Sequence, residues 1–260
     1  MNIKTIILGI VTTMAVVSFV GCKDTNDGRL TTTQVKFEQK DKLAEVTISV
    51  DYPTEAGQGL KTAISEYINE QLGGTDAGTL DNGDSIVQYY GKGKYTELSK
   101  ENKETGSEMP FSKMYEIKKA AETDNYVTYT TDYEDFMGGA HGSRIFTGVT
   151  FRKADGRRFG YEMLRNTESE EFHALIKEGL KEYFEDPKMS DEKLKDMLMV
   201  EDGVDYLPLP ISIPYLTDKG MVFTYQQYEI AAYAAGIPTF TIPFSKIKPY
   251  LTVTVLKMIK

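Results

Sequence analysis

Tyr126-Val127-Thr128-Tyr129-Thr130 and the run from Arg144 to Arg152 are the stretches that decide the fold. β-Branched and aromatic residues dominate both, and such side chains favour the pleated, half-buried surface of a strand. Asp124-Asn125 reads as a turn ahead of the first run, and Gly138-Gly139-Ala140-His141-Gly142 separates it from the second. Asp155-Gly156 follows, a pair that tolerates the positive φ of a tight hairpin. With Met114 to Phe136 β-like throughout, this region predicts an antiparallel meander.

Working outward, Val46, Ile48 and Val50 alternate with Thr47 and Ser49, so Val35 to Pro53 predicts a strand or hairpin with one buried face. Leu60, Ala63, Ile64, Tyr67, Ile68 and Leu72 recur at helical spacing, and Gly73-Gly74 ends that helix. Thr75 to Asp84 is a polar loop. A second helix starts near Ser85 and carries Ile86, Tyr89, Tyr90 and Leu98, against the low helix propensity of Gly91 and Gly93. Towards the C-terminus, Thr167 with Glu170 predicts a capping box for a helix whose core face is Phe172, Leu175, Ile176, Leu180, Tyr183 and Phe184, closed by Pro187. A short helix over Asp191 to Met199 follows, with Leu194, Met197 and Leu198 on one face. Leu207-Pro208-Leu209-Pro210 cannot be helical and leads into strand-like Ile211 to Tyr215 and Met221 to Ile230. Strands and helices without regular βα alternation indicate an α+β fold: a mostly antiparallel sheet packed with a few amphipathic helices.

The only cysteine, Cys22, follows Phe19-Val20-Gly21 at the end of an apolar run from Ile6, with Lys4 ahead of it. This pattern predicts a lipoprotein signal peptide over residues 1–21, processing at Cys22 and lipidation there. Residues 22–34 are then a flexible lipidated tether and 35–260 an α+β module, with a division into about 35–111 and 112–260 left open. The expected location is the cell envelope, lipid-anchored, at the periplasmic face or the cell surface of an outer membrane. Acidic residues after Cys22 resemble the export signals of surface lipoproteins in Bacteroidetes. The chain carries a formal charge of −9, and removing residues 1–21 takes away Lys4 and no acid, leaving −10. Such a surface argues against nucleic acid and favours basic partners. Once Cys22 is acylated no thiol is left for a disulfide or a cysteine metal site. Gly91-Lys92-Gly93-Lys94 lacks P-loop spacing, and no cofactor or metal motif stands out.

Two stretches carry a family likeness. One is Gly138-Gly139-Ala140-His141-Gly142 with the strand, Asp155-Gly156 and helix after it; the other runs from Val222 through Tyr225-Gln226-Gln227-Tyr228-Glu229-Ile230-Ala231 and Tyr233 to Gly236, then Phe240-Thr241-Ile242-Pro243-Phe244. Together they resemble the extracytoplasmic domain shared by the lysozyme-sensing anti-sigma factor RsiV and the N-terminal region of the peptidoglycan deacetylase PdaC, a domain of unknown function. The resemblance spans roughly Val35 to Leu251 and implies binding of a lysozyme-like muramidase or a peptidoglycan-related ligand. Five residues before the apolar run leave no sigma-binding segment, and a chain with only His141 and His173 lacks the deacetylase's metal-dependent catalytic domain.

Glycines around His141 would expose its imidazole, which could suit a general base, but the favoured reading is a tight bend between strands with a local hydrogen bond. No serine, cysteine or metal-ligand set sits at diagnostic spacing, so no catalytic residue is assigned. His173 reads as a partly solvated helix residue. The binding candidates are Gly139, His141, Arg144, Tyr228, Glu229 and Tyr233, with Tyr225 and Glu229 on one face of a strand and Tyr228 on the other. Seventeen tyrosines could stack on sugars, although the chain has no tryptophan. The leading expectation is a non-catalytic, lipid-anchored envelope protein that binds a protein or a peptidoglycan-related ligand. The competing class is an envelope glycan hydrolase or deacetylase-like enzyme centred near His141.

Overall fold

The computed structural model describes residues 29–75, 78, 80–201 and 203–260; Cys22 and the expected signal peptide lie outside the described residues. The chain begins with the hairpin β1 (Thr31–Lys40) and β2 (Ala44–Glu55), then α1 (Gln58–Leu72) and α2 (Gly83–Thr105). The meander β3 (Phe111–Glu122), β4 (Tyr126–Phe136), β5 (Ser143–Arg152) and β6 (Arg158–Phe159) follows. Then come α3 (Glu170–Tyr183), α4 (Asp191–Met197), β7 (Tyr215–Leu216), β8 (Gly220–Thr224), β9 (Thr239–Pro243), α5 (Phe244–Ile247) and α6 (Val253–Met258).

The first six strands form one sheet in sequence order. Every neighbouring pair is antiparallel except β2 and β3, which run parallel because both helices intervene. This parallel ladder joins the segments on either side of residue 111. Alternation explains the layering. In β2, Ala44, Val46, Ile48, Val50 and Tyr52 are buried, while Glu45, Thr47, Ser49 and Asp51 are half-exposed. The apolar face packs with Leu60, Ile64 and Ile68 of α1 and Ile86, Val87 and Leu98 of α2. Each such side chain stabilises the fold by roughly 1.5–3 kcal/mol, whereas exposed pairs such as Lys100–Glu104, 3.7 Å apart, contribute about 0–1 kcal/mol. Burial therefore dominates. Asn82 caps α2 by accepting from the Ser85 amide. Gly91 does not interrupt that helix: a Cβ there would lie 2.3 Å from the Phe37 ring, so glycine lets the helix approach the sheet.

A second core is built on α3, whose Phe172, Ile176 and Leu180 pack with Phe223, Tyr225, Phe240 and Leu251. The three-stranded antiparallel sheet β7-β8-β9 belongs to it. Ser169, not Thr167, caps α3, accepting from the Phe172 amide; its oxygen sits three residues ahead of that N–H, the reach an N-cap needs. The strand expected over Ile211 to Tyr215 is confined to Tyr215–Leu216, and Ile211 is 84% exposed.

The two cores meet where β7 crosses the polar face of β4 and β5. Thr128 and Thr150 are register partners with hydroxyls 2.9 Å apart; Thr128 Oγ1 donates to the Leu216 carbonyl at 2.6 Å, and the Leu216 amide donates to Thr150 Oγ1 at 2.8 Å. One proton per hydroxyl then requires Thr150 to donate to Thr128, which closes a ring of hydrogen bonds. Gly148 completes the contact, since a Cβ there would stand 2.3 Å from the Tyr215 ring.

Thr31 to Gln34, expected in the tether, are already strand residues paired with β2, and Leu30 is pinned just before them. The Glu122 carboxylate accepts from the Leu30 amide, from Lys119 Nζ and from Lys153 Nζ at 2.8, 2.8 and 2.9 Å. At the other end of the chain, Asn125 in the same turn donates its side-chain amide to the Met258 carbonyl at 3.0 Å.

Burial pushes the Glu122 carboxyl up, but the Leu30 amide and the two ammonium groups outweigh it and hold it at about 2. A depressed folded value means this clamp contributes fully above the ordinary carboxylate range and is lost as pH falls from about 4.5 towards about 2. Thermal melts across that window should show a drop in midpoint that Glu122→Gln flattens, the variant being the less stable of the two at pH 7. Parallel curves for the two proteins would show that the clamp carries no stability.

Candidate functional site

The loop between β4 and β5 and the loop after β8 come together at one end of the large sheet. Gly138 and Gly139 adopt φ of 87° and 89°, a left-handed backbone that turns the chain so that His141 lies exposed on the surface. His141 stacks on Tyr233 with ring centroids 3.9 Å apart and planes inclined 25°. Its Nδ1 faces the Gly142 carbonyl at 2.9 Å, and a carbonyl only accepts, so Nδ1 carries the proton. Nε2 faces the Tyr228 hydroxyl at 3.4 Å. Tyr233 donates to the same Gly142 carbonyl at 3.2 Å. Tyr228 is 53% exposed and its ring is 5.7 Å from that of Tyr233. His141, Tyr228 and Tyr233 thus form one aromatic surface.

Residues 225–229 are not the strand expected from sequence. β8 ends at Thr224, Tyr225 is fully buried with its hydroxyl on the Pro208 carbonyl at 2.6 Å, and Tyr228 has φ of 63°. Side chains take over the backbone bonding here. Gln226 accepts the Phe146 amide at 3.1 Å and donates to the Phe146 carbonyl at 2.7 Å and to Ser212 Oγ at 2.6 Å. Gln227 accepts the Arg144 amide at 2.9 Å. The two glutamines therefore occupy the edge of β5 where β6 does not reach, as a paired strand would. Their polarity inside an apparently strand-like run is the only trace of this in the sequence.

The other candidates are built into the fold. The Glu229 carboxylate accepts from the Ile211 and Gln226 amides, each at 2.6 Å, and folds the loop back on itself. Arg144 binds Asp132 through two nitrogens at 2.8 and 2.6 Å and reaches Glu134 at 3.2 Å. That bidentate bond to Asp132 raises the guanidinium's pKa still further. Gly139 is exposed at the tip of its loop. His173 is a correction: it is only 8% exposed, packed 4.9 Å from the Tyr206 ring, and its Nδ1 has no hydrogen-bond partner among the described residues. Among the described residues no group of three or more His, Cys, Asp and Glu side chains gathers to hold a metal, and no helix is long and apolar enough to cross a membrane.

Next to the aromatic surface lies a cleft of about 490 Å³, floored by the uncovered polar face of the large sheet and bordered by Gly142, Gln227 and Tyr233. It is assembled from both halves of the chain, a common place for a ligand site.

Residues 165–245 match DUF3298, a family described as protein of unknown function. A solved structure of a DUF3298 family member from Bacteroides fragilis NCTC 9343 shares the fold at a TM-score of 0.72 and 22% identity, covering 91% of this chain and 99% of that one. A DUF3298 family protein from Pseudomonas aeruginosa PAO1 superposes at a TM-score of 0.59 and 17% identity, covering 88% and 97%. No curated protein sequence matches the chain.

Gln226→Ala removes three hydrogen bonds at the junction of the two loops, and should lower unfolding free energy by about 1–3 kcal/mol. Hydrogen exchange of the Phe146 amide should accelerate with it, while Gln226→Glu, which keeps the acceptor for that amide, should retain more of the protection. Unchanged exchange in the alanine variant would mean the loop is held by other contacts.

Proposed function

We propose that the chain is a lipid-anchored, non-catalytic binding protein of the bacterial cell envelope, whose ligand is a basic lysozyme-like muramidase or a peptidoglycan-related molecule. The observation that carries this reading is the surface made by His141, Tyr228 and Tyr233. It offers the exposed His141 and Tyr228 rings beside the half-buried Tyr233 on which His141 stacks, the kind of aromatic anchor on which protein interfaces concentrate their energy. Catalysis by His141 finds less support: its Nδ1 proton goes to a neighbouring carbonyl and its Nε2 faces a tyrosine, and among the described residues no carboxylate bonds to it. The charge of −10 remaining after Lys4 is lost would steer a basic partner towards the domain. An acyl group on Cys22 would keep that capture at the membrane.

In a biosensor assay against a basic lysozyme, the association rate should fall steeply as salt rises from about 50 to about 500 mM. His141→Ala and Tyr228→Ala, both exposed, should each weaken binding about tenfold, or about 1.4 kcal/mol, with melting unchanged. No association at low salt removes the lysozyme reading, and turnover of peptidoglycan abolished by His141→Ala would replace binding with hydrolysis.

The anchor is tested separately. Cys22→Ala should move the protein from the membrane fraction to the soluble envelope fraction and abolish fatty-acid labelling. A variant that stays with membranes and still labels contradicts the lipoprotein assignment.

A further inference from the structure

The cleft beside the aromatic surface distinguishes among ligand chemistries by what its side chains have left to offer. Its floor carries Thr47 of β2 and Ser112 and Met114 of β3; Ser143, Gln227 and Tyr233 stand at its walls. The charges on its face of the sheet are engaged within the protein. Arg144 is bound to Asp132 and Glu134 and Glu45 is paired with Lys40 at 2.5 Å, whereas Lys113 and Asp135 alternate with Ser112 and Glu134 along β3 and β4 and so point to the opposite face of the sheet. An anionic ligand needs an unengaged cation and a cationic ligand an unengaged carboxylate, because a desolvated charge without a partner is costly. The neutral groups are the ones left over. Among the described residues the hydroxyls of Thr47, Ser112 and Ser143 have no hydrogen-bond partner, and Gln227 uses only its oxygen, leaving its amide NH2 undonated.

Neutral hydroxyls and an amide donor, set around a thioether and a tyrosine ring, match a ligand that is itself neutral, rich in hydroxyl and amide groups, and apolar along its C–H face. From this we infer that the cleft binds an uncharged glycan of N-acylated amino sugars. The Gln227 amide donates to an acyl carbonyl, the hydroxyls of Thr47, Ser112 and Ser143 exchange hydrogen bonds with the sugar, and Met114 and Tyr233 cover its carbon surface. A volume of about 490 Å³ lies within the range of small-molecule clefts and accommodates a short oligosaccharide rather than a protein loop of any bulk. The inference rests on the reading of this end of the sheet as the recognition surface, and names a ligand class for it.

The test is calorimetric titration of the full-length chain in detergent with the β-1,4-linked tetramer of N-acetylglucosamine, with cellotetraose as the control lacking acetamido groups. The acetylated tetramer should bind with a Kd between about 10 μM and about 1 mM, and cellotetraose at least about tenfold more weakly. Affinity should not change between about 50 and about 500 mM salt, because the ligand has no charge to screen. Gln227→Glu keeps the acceptor for the Arg144 amide but loses the free donor. It and Ser112→Ala should each reduce affinity about fivefold or more, with an unchanged melting midpoint. No binding of the tetramer at about 10 mM, equal binding of cellotetraose, or affinity indifferent to both substitutions overturns the inference. Failure here with lysozyme association intact leaves the protein-binding reading standing; tetramer binding without lysozyme association removes that reading and keeps this one.

Discussion

The closed ring formed by Thr128, Thr150 and the backbone of Leu216 is the constraint on which the rest of the structure depends. Leu216 sits in β7 opposite Met221 of β8, yet its own amide and carbonyl turn away from that pairing and are met by two side-chain hydroxyls on the large sheet. All the groups involved are buried, so breaking any one bond strands a polar atom away from water at a cost of about 1–3 kcal/mol. The ring therefore forms as a unit or not at all. Tyr126 adds a parallel tie, donating to the Thr217 carbonyl at 2.8 Å. Through this junction two hydrophobic cores, each with its own helices, take up one fixed relation, and the loops at the far end of the sheet are brought within reach of each other.

Where a hydrophobic period ran long enough, the sequence was a good guide to the fold. The alternation in β2, the helical spacing of α1 and α3, and the turns at Asp124-Asn125 and Asp155-Gly156 are all found in the structure. The departures have physical causes. Gly91 weakens a helix only through its own propensity, and that loss is offset because the missing Cβ admits Phe37. Thr31 to Gln34 look like polar linker, but an edge strand with one face towards solvent is polar by nature. Ile211 to Tyr215 and Tyr225 to Ile230 have strand composition, yet the Ile211 and Gln226 amides are met by the Glu229 carboxylate and the Gln226 side chain bonds the backbone of Phe146 in β5, bonds that no local pattern announces.

The candidate site divides along the same line. Glycines on both sides of His141 marked it as surface-exposed, and so it is. Its stacking on Tyr233 joins residues 92 positions apart, a proximity created by tertiary structure alone. Arg144 and Glu229 were legible as polar residues near the site, but not as groups already engaged, one with Asp132 and the other with two backbone amides. Gln226 and Gln227 were invisible as determinants because an amide side chain standing in for a strand has no period. Knowing which groups are engaged turns a list of polar residues into a statement about the polarity of a ligand.

The turn between β3 and β4 holds both ends of the described chain: Glu122 secures Leu30, and Asn125 secures Met258. Entry and exit of the polypeptide are therefore neighbours in space, although almost the whole sequence separates them. Mechanically, a pull applied at the N-terminal side is borne first by this turn and then in shear along the ten-residue β1–β2 ladder, and the second core lies outside that line of load. Geometrically, a label or fused domain added after Lys260 would emerge beside the point where the N-terminal segment departs. The loops carrying the aromatic surface would stay unobstructed, since β4 and β5 place them at the opposite end of their strands.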